Sequence, residues 1–212
     1  MENFNPIDGA KTMLQPAREF SERYLKAAAD CLKQLSAGDI AKVSRVLLDA
    51  YERGAQVFII GNGGSAALAS HFACDLAKTV LGKNIESTSK RFRAISLCDN
   101  VAVMTAWAND VAYERIFSEQ LKALAQPGDV LLVITGSGNS PNVLEAVRMA
   151  KSLGLHTIGW LGFDGGKARA QLDDYILVPV HDYGLVEAGH DVLAHLITAW
   201  LMAAVAAERK AA

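Results

Sequence analysis

Hydrophobic residues recur at helical spacing in the first quarter of the chain. Over 16–35 the apolar positions fall on one face of a predicted helix. A second predicted helix begins near Asp39, which can cap its first turn, and ends at Gly54. Residues 1–53 are therefore expected to form an N-terminal helical region.

After residue 54 the pattern changes to short apolar runs that alternate with helical periodicity. The apolar runs predict strands at 55–60, 93–97, 129–134, 156–160 and 175–178. Helical patterns lie between and after them, near 64–80, 100–123, 141–153, 165–172 and 186–209. Strands that are apolar throughout and separated by helices form a parallel sheet with helices on both faces. The 212 residues are therefore predicted to form a single α/β domain, 1–212, with an αβα core over 54–212.

Composition places the chain among ordinary folded proteins. Hydrophobic residues make up 51% and charged residues 21%, which excludes a disordered chain. The formal net charge of −2 supplies no basic field, so neither nucleic acid nor a membrane surface is expected as a partner. The three cysteines, Cys31, Cys74 and Cys98, form no CxxC pair, and their odd number argues against a disulfide framework. A cytoplasmic location is the simplest expectation.

The sequence predicts no targeting or membrane-spanning segment. Residues 1–6 lack the basic start and apolar run of a secretory signal. The longest apolar stretch, 192–207, is shorter than the roughly 20 residues that span a bilayer, and His195 interrupts it. This stretch predicts a buried helix that is either central or covered by a partner. Because the helix at 64–80 is also small and apolar, a homo-oligomer is expected.

Two loops of the same design carry most of the functional information. Gly61-Asn62-Gly63-Gly64-Ser65 follows the first predicted strand, and Thr135-Gly136-Ser137-Gly138-Asn139-Ser140 follows the third. Glycine lets the backbone approach a ligand closely, and free N–H groups at the start of the next helix attract an anion. Because ligands of parallel sheets bind at the carboxyl ends of the strands, both loops are expected to face one site. The expected ligand is a small phosphorylated, polyhydroxylated molecule.

The first loop is also compatible with two other roles, a purely structural turn and a dinucleotide-binding site. It could be only a tight turn in which Ser65 caps the next helix. Its Gly61-x-Gly63-x-x-Ala66 spacing fits a dinucleotide fingerprint, which needs an acidic residue at the end of the next strand. The region near Glu86 is polar and not strand-like, which disfavours a dinucleotide site. A Walker A loop is excluded because no Gly-Lys-Ser/Thr follows.

The second loop is less easily attributed to local structure alone. Ser140 and Pro141 form a good N-cap and N1 pair, so Ser140 has a structural role available. Capping needs only one hydroxyl, which leaves Thr135 and Ser137 for a ligand. A phosphate needs several donors and little bulk, and this loop supplies both.

Two imidazoles and two carboxylates lie on two predicted helices at spacings that place each pair on one face. His71 and Asp75 are four residues apart, and Glu187 and His195 are eight apart with Asp191 between them. These four suit zinc or a similar divalent ion. The simpler alternatives are a surface pair for His71 and Asp75, and a satisfied core or interface histidine for His195.

These motifs, their order and their spacing resemble the sugar isomerase (SIS) domain family, which binds phosphosugars, and most closely its phosphoheptose isomerase group. The stretches that carry the resemblance are 61–67, 106–110, 128–131, 137–143 and 162–166. The resemblance implies a three-layer αβα sandwich with a five-stranded, flavodoxin-like parallel sheet and N-terminal helices. It implies a homotetramer with active sites at subunit interfaces, and zinc in many members. It also implies interconversion of sedoheptulose 7-phosphate and glycero-manno-heptose 7-phosphate for bacterial surface glycans.

The resemblance carries roles onto individual residues, with two substitutions among the metal ligands. His71 and His195 match the family pattern directly. Asp75 stands where the family has Glu, and Glu187 stands where it has Gln. Both substitutions keep oxygen ligands, and the added charge of Glu187 favours a cation.

Another departure concerns the phosphate. Thr79 stands where the family has Arg, with Lys78 beside it. The phosphate is then expected to meet Lys78 or a basic cluster that is otherwise only a solvated loop. That cluster consists of Lys83, Lys90, Arg91 and Arg93. Asp99 matches a family Asp that is expected to contact sugar hydroxyls, and Asn100 follows it.

The leading hypothesis is an aldose–ketose isomerase that works through an enediol, with Asp75 as base and His195 as acid and base on the other carbon. The expected substrate-binding residues are Asn62, Gly63, Gly64, Ser65, Asp99, Asn100, Thr135, Gly136, Ser137, Ser140 and Glu187. The expected zinc ligands are His71, Asp75, Glu187 and His195. Two alternatives stay open: a non-catalytic SIS module that regulates a replication initiator protein, and an isomerase of a different phosphosugar.

Overall fold

Five parallel strands form one sheet in the order β2-β1-β3-β4-β5. The computed structural model describes residues 16–82 and 90–211, with the side chains of the last helix described to residue 207. Residues 1–15, Lys83 and Glu86 lie outside the described residues. The strands are β1 Gln56–Ile60, β2 Arg93–Ser96, β3 Val130–Thr135, β4 His156–Gly162 and β5 Asp174–Val178. The predicted strands are confirmed, because each observed end lies within two residues of its predicted position.

The central strands bury both faces, since helices cover the sheet on two sides. In β1, Val57 and Ile59 point into one hydrophobic core, and Phe58 and Ile60 point into the other. All four side chains are buried. Successive side chains of a strand alternate between faces, so a strand covered on both faces reads as a continuous apolar run.

Eight α-helices lie along the described residues. They are α1 Ala17–Leu32, α2 Ala37–Arg53, α3 Gly64–Ala77, α4 Val101–Asp110, α5 Ser118–Leu124, α6 Pro141–Ser152, α7 Gly166–Arg169 and α8 Tyr183–Ala211. Helices α1, α2, α3 and α8 contribute to the core on one face of the sheet, and α5, α6 and α7 contribute to the core on the other. The predicted three-layer αβα architecture is therefore confirmed, and the N-terminal helices belong to its first layer.

The single helix predicted over 100–123 is wrong, because the chain breaks there into α4, a 3₁₀ turn at Tyr113–Arg115 and α5. Ala112, before the turn, is extended, with φ −169° and ψ 149°. The break brings Ile116 and Phe117 into the core, where both are fully buried. Helix α4, in contrast, contains no buried residue despite its apolar sequence.

The ends of α2 follow from its flanking residues. Ser36, not Asp39, is the N-cap, and its Oγ accepts the N–H of Asp39 at 3.2 Å. Gly54 ends the helix as predicted, in the left-handed conformation (φ 68°) that favours glycine. The following residue begins the short approach to β1.

Helix α8 has two different faces, so the prediction of a buried helix holds for one stripe only. The buried stripe consists of Leu193, Ala194, Ile197, Leu201 and Val205. Beyond its first residue, Tyr183, the large exposed apolar residues are Val192, Leu196, Trp200 and Met202, each 39–42% exposed. By length and composition alone, Tyr183–Ala207 could cross a bilayer, but core helices pass the same test, and 39% of its window is buried here.

Candidate active site

The two glycine- and serine-rich loops lie side by side at the carboxyl edge of the sheet. Strands β1 and β3 are parallel neighbours, with Ile60 opposite Val133, and each loop follows directly. The side chains of Asn62 and Asn142 join the loops by two reciprocal hydrogen bonds. Asn62 Nδ2 donates to Asn142 Oδ1 at 2.9 Å, and Asn142 Nδ2 donates to Asn62 Oδ1 at 2.8 Å.

The first loop presents backbone N–H groups at the start of α3. Gly63, with φ 54°, is the N-cap and makes no side-chain cap bond, so Ser65 is not the cap. The first N–H groups bonded in this turn are those of Ala66 and Ala67, which both donate to the Gly63 carbonyl at 3.0 and 3.2 Å. The N–H groups of Gly64 and Ser65 make no bond within the helix, because a helix cannot satisfy its own first donors, and such groups can bind an anion.

The second loop uses its hydroxyls to brace its own turn. Thr135 Oγ1 accepts the N–H of Gly138 at 3.2 Å, and Ser137 Oγ accepts the N–H of Asn139 at 3.3 Å. A hydroxyl that accepts one N–H still has its O–H to donate. Ser140 is the N-cap of α6 as expected, yet its hydroxyl makes no capping bond.

The turn after β4 packs tightly against the second loop and fixes its shape. Gly138 has φ 64°, and a Cβ built there would lie 2.0 Å from the Gly165 carbonyl oxygen. The Gly138 carbonyl accepts the N–H of Ala168 at 3.0 Å, and the Gly136 carbonyl accepts the N–H of Gly162 at 3.0 Å. Only glycine fits this contact between two turns.

The first turn of α8 covers both loops. A Cβ on Gly136 would lie 2.9 Å from the Tyr183 ring, and a Cβ on Gly64 would lie 3.1 Å from the Glu187 carboxylate. The rings of Tyr183 and Phe163 meet edge to face at 4.8 Å. Phe163 has φ 52°, which is unusual for a bulky residue and concentrates at functional sites. Neither aromatic residue was predicted from the sequence, because only the fold brings them to the second loop.

Three of the four predicted metal ligands form a cluster between α3 and α8. Ligand atoms of His71, Asp75 and His195 all lie within 4.8 Å of one another. Asp75 Oδ2 is 3.5 Å from His71 Nε2 and 4.0 Å from His195 Nδ1, and the two imidazole rings meet at 5.1 Å. Asp75 Oδ1 accepts the hydroxyl of Thr79 at 2.8 Å, whereas its buried Oδ2 has no hydrogen-bond partner among the described residues.

This cluster suits a divalent cation. A buried carboxylate oxygen without a donor is costly, and a metal ion would satisfy it. Two imidazole nitrogens and one carboxylate oxygen are a donor set that zinc accepts, with a position left for a further ligand. The orphaned oxygen of Asp75 is the structural observation that favours this use.

Glu187 does not belong to the cluster whose ligand atoms lie within 4.8 Å of one another, so its role as a metal ligand stays a prediction. Its carboxylate lies against Gly64 at the start of α3, whereas His195 lies against His71 further along. Seven residues separate Gly64 from His71, a rise of about 10 Å along the helix. Glu187 therefore stands beside the first loop, at the start of α3.

Asp99 and Asn100 follow β2 at the same edge of the sheet. Asp99 Oδ1 accepts the hydroxyl of Ser70, the residue before His71 on α3. Asn100 is the N-cap of α4, and its Oδ1 accepts the N–H of Val103 at 3.2 Å. Asp99 thus lies near the cluster, while the side chain of Asn100 already has a structural role.

The predicted basic cluster is wrong as a phosphate site, because its described members with known contacts lie elsewhere. Arg93 begins β2 and donates to the Gly54 carbonyl at 3.2 Å, which places it at the amino edge of the sheet. Lys90 donates to the Glu52 carbonyl at the same edge. Lys78 follows the last residue of α3, at the end of that helix away from the first loop.

His190 lies behind the site and packs in the core. Its side chain is buried, with its ring 6.5 Å from that of Trp160. Burial lowers the pKa of His190 to about 4, against a smaller opposing effect of a hydrogen bond with Leu161. A neutral, enclosed imidazole is not available to a ligand at the loops.

Comparisons with known proteins agree with this geometry. The SIS domain family matches residues 23–162. The chain is 40% identical over 158 residues to a phosphoheptose isomerase of Trichlorobacter lovleyi, covering 74% of this chain and 78% of the relative. It is 37% identical over 191 residues to one from Geobacter sulfurreducens, covering 90% and 94%.

Solved structures give the same result. A phosphoheptose isomerase from Neisseria gonorrhoeae superposes with a TM-score of 0.79 and 28% identity, over 88% of this chain and 98% of that chain. One from Francisella tularensis gives a TM-score of 0.79 and 26% identity over the same shares of the two chains. The chain therefore belongs to the SIS domain family, in which its similarity is to the phosphoheptose isomerases.

Proposed function

We propose that the chain is a phosphoheptose isomerase that interconverts sedoheptulose 7-phosphate and D-glycero-D-manno-heptose 7-phosphate. Its curated relatives are phosphoheptose isomerases, which are aldose–ketose isomerases. The observation that carries the proposal is the arrangement along α3. The first loop lies at the start of the helix with the second loop beside it, and a histidine–carboxylate cluster lies about two turns further on.

The phosphate binds between the two loops in this proposal. The N–H groups of Gly64 and Ser65 and the free hydroxyl of Ser140 face no described partner. Thr135 and Ser137 each keep an O–H to donate. The positive end of the α3 dipole adds to these donors.

The length of a heptose phosphate is comparable with the rise of α3 from the first loop to His71. Gly64 and His71 are separated by about 10 Å along α3. Six C–C bonds of about 1.5 Å advance an extended seven-carbon chain by roughly 8 Å, and the phosphate ester adds about 2 Å. A phosphate at the loops therefore places carbons 1 and 2 of the open-chain sugar beside His71, Asp75 and His195.

Asp75 and His195 are assigned the proton transfers. Asp75 removes the proton from carbon 1 of the ketose and passes it to the carbonyl oxygen on carbon 2, which gives the enediol. His195 then supplies a proton to carbon 2 and takes up the proton of the hydroxyl on carbon 1, which becomes the aldehyde. Thr79 holds Asp75 by its other oxygen, which keeps Oδ2 turned towards the two imidazoles.

Zinc is proposed as the ion of the cluster, held by His71, Asp75 and His195. When bound, the ion supplies polarisation of the carbonyl and hydroxyl oxygens of the sugar. Glu187 and Asp99 are assigned to the sugar chain instead, because Glu187 stands beside Gly64 and Asp99 beside Ser70, between the loops and the cluster. Their carboxylates can accept hydrogen bonds from sugar hydroxyls.

A homotetramer is also proposed, with residues 1–212 as one SIS domain. The exposed apolar face of α8 and the unburied helix α4 support subunit contacts. The side chain of His195 is 65% exposed and lies three residues, about one turn, after the exposed Val192 of α8, so a neighbouring subunit would border the site. A cytoplasmic location and a role in supplying heptose precursors for surface glycans complete the proposal.

Proton exchange tests the proposed reaction directly. Purified, zinc-loaded protein is incubated with sedoheptulose 7-phosphate in deuterated water, and NMR follows exchange of the protons on carbon 1 and formation of the aldose. Exchange with aldose formation is expected. Exchange only with another ketose phosphate would assign a different phosphosugar, and tight phosphosugar binding without any exchange would indicate a non-catalytic module.

A further inference from the structure

We propose that Asn62 and Asn142 are a pair of positioning residues that hold the two phosphate-binding loops in register; the inference rests on the proposed phosphosugar site. Asn142 is only 1% exposed, although its side chain is fully polar. Its amide and that of Asn62 each donate to and accept from the other, at 2.8 and 2.9 Å. Buried polar side chains are normally hydrogen-bonded, and Asn142 meets this requirement through its bonds to Asn62.

The surrounding contacts favour bridging over direct contact with the ligand. Asn142 Oδ1 also accepts the N–H of Val143 at 3.0 Å, and Asn62 Oδ1 also accepts the hydroxyl of Tyr113 at 3.2 Å. Both carbonyl oxygens therefore have two donors each, which is their full capacity. Asn62, predicted from sequence to bind substrate, uses its side chain to fix the loops.

The loops need such a bridge because the sheet stops before them. The β1–β3 register ends at Ile60 and Val133, and the residues beyond are rich in glycine. Asn142 lies in the first turn of α6, directly after the second loop, and among the described residues its pairing with Asn62 is the side-chain hydrogen bonding that joins this turn to the first loop. Donors from both loops must converge on one phosphate, and small displacements of a binding group are costly.

A double-mutant cycle tests the pair, with Asn62→Ala, Asn142→Ala and the double variant. Each single substitution is expected to raise KM for sedoheptulose 7-phosphate roughly tenfold and to leave kcat nearly unchanged. The double variant is expected to be no worse than either single variant, because residues that act as a unit are not additive. Zinc binding is expected to stay the same, since its ligands lie elsewhere on α3 and α8.

Gln34→Ala is the matched control, because Gln34 is exposed just after α1 and its amide donates only to the Asp30 carbonyl among the contacts described. A rise in KM for Asn62→Ala without one for Asn142→Ala would overturn the pairing and assign Asn62 to direct contact. Additive effects in the double variant would overturn it as well.

A replacement variant and a second measurement complete the experiment. If Asn142→Ala does not fold, the cycle uses Asn142→Leu, which keeps the side-chain volume and removes the amide. The stabilisation of each variant by inorganic phosphate is also measured by thermal unfolding, and the two single variants are expected to lose it equally. Because this arm needs no turnover, it decides the pairing even if the wild-type protein proves inactive on heptose phosphates and the proposed function fails.

Discussion

Asp75 is a buried residue of the site whose carboxylate is only half satisfied by hydrogen bonds. Its Oδ1 is fixed by Thr79, while its buried Oδ2 faces two imidazoles without a hydrogen-bond donor from the described residues. An unsatisfied buried carboxylate oxygen destabilises the fold. Proteins keep such arrangements where activity requires them.

Asp75→Asn separates these two effects. The new amide can donate to an imidazole, so the free energy of unfolding of the metal-free protein is expected to stay level or to rise by about 1 kcal/mol. Isomerase kcat is expected to fall by roughly 10²- to 10⁴-fold, because the base is lost. Urea unfolding and steady-state kinetics measure the two quantities.

The control for this prediction is Asp30→Asn on α1, which removes only a surface ion pair with Lys33. Little change in either quantity is expected there. A large loss of stability in Asp75→Asn with kcat unchanged would assign Asp75 to the fold and not to the chemistry.

Alanine substitutions at Gly54 and Gly138 distinguish the cost of backbone strain from the cost of a steric clash. Both have positive φ, +64° and +68°, but a Cβ on Gly54 meets nothing within 4 Å, whereas one on Gly138 meets the Gly165 carbonyl at 2.0 Å. Gly54→Ala is expected to cost about 1 kcal/mol of unfolding free energy. Gly138→Ala is expected to cost at least about 2 kcal/mol more, because two turns must move apart. Chemical denaturation of both variants measures the difference, and equal losses would contradict the close contact.

At the scale of secondary structure, the apolar pattern of the sequence predicts the strands of the sheet accurately and the helices less accurately. Strands such as β1 are buried on both faces, so their sequence has no polar interruption and their ends are sharp. The region 100–123 has a continuous helical pattern, but packing of Ile116 and Phe117 breaks it. Local periodicity cannot reveal which of several apolar residues the core will take.

Asp173, just before β5, is hydrogen-bonded to Thr157 at the start of β4. This contact predicts that the stability of the protein depends on pH. Burial alone would raise the pKa of Asp173, but hydrogen bonds from Lys151 and from Thr157 outweigh it and lower the pKa to about 2. A lowered pKa in the folded state stabilises the protein above the unfolded value of 3.8, and this contribution is lost as pH falls towards 2.

Asp173→Asn is therefore expected to destabilise the protein at pH 7 by about 1–2 kcal/mol, after allowance for the partial exposure of the side chain. The difference from the wild-type protein is expected to shrink progressively between about pH 4 and pH 2. Urea unfolding across this range measures it. A difference independent of pH would show that the charge of Asp173 is not what stabilises the strands.

For the whole molecule, the sequence indicated the parts of the candidate site but not their arrangement. The two loops follow strands, so their common edge could be predicted from the parallel sheet. The pairing of His71 and Asp75 with His195 depends on α3 lying beside α8, which no local pattern specifies. The place of the Glu187 carboxylate beside Gly64 depends on the same packing of α8 against α3.

The proposed oligomer predicts that a charge placed on the exposed face of α8 will dissociate the subunits. Trp200 lies with Val192 and Leu196 on the exposed face of α8, and all three are about two-fifths exposed. If this face is covered by another subunit, Trp200→Glu would bury an unpaired charge and lower the mass measured by light scattering. Isomerase activity should fall with the mass while circular dichroism stays unchanged, because His195 borders the same face. Leu25→Glu on α1, at a residue 68% exposed, is the control expected to keep both, and a Trp200→Glu protein of unchanged mass would place the subunit contact elsewhere.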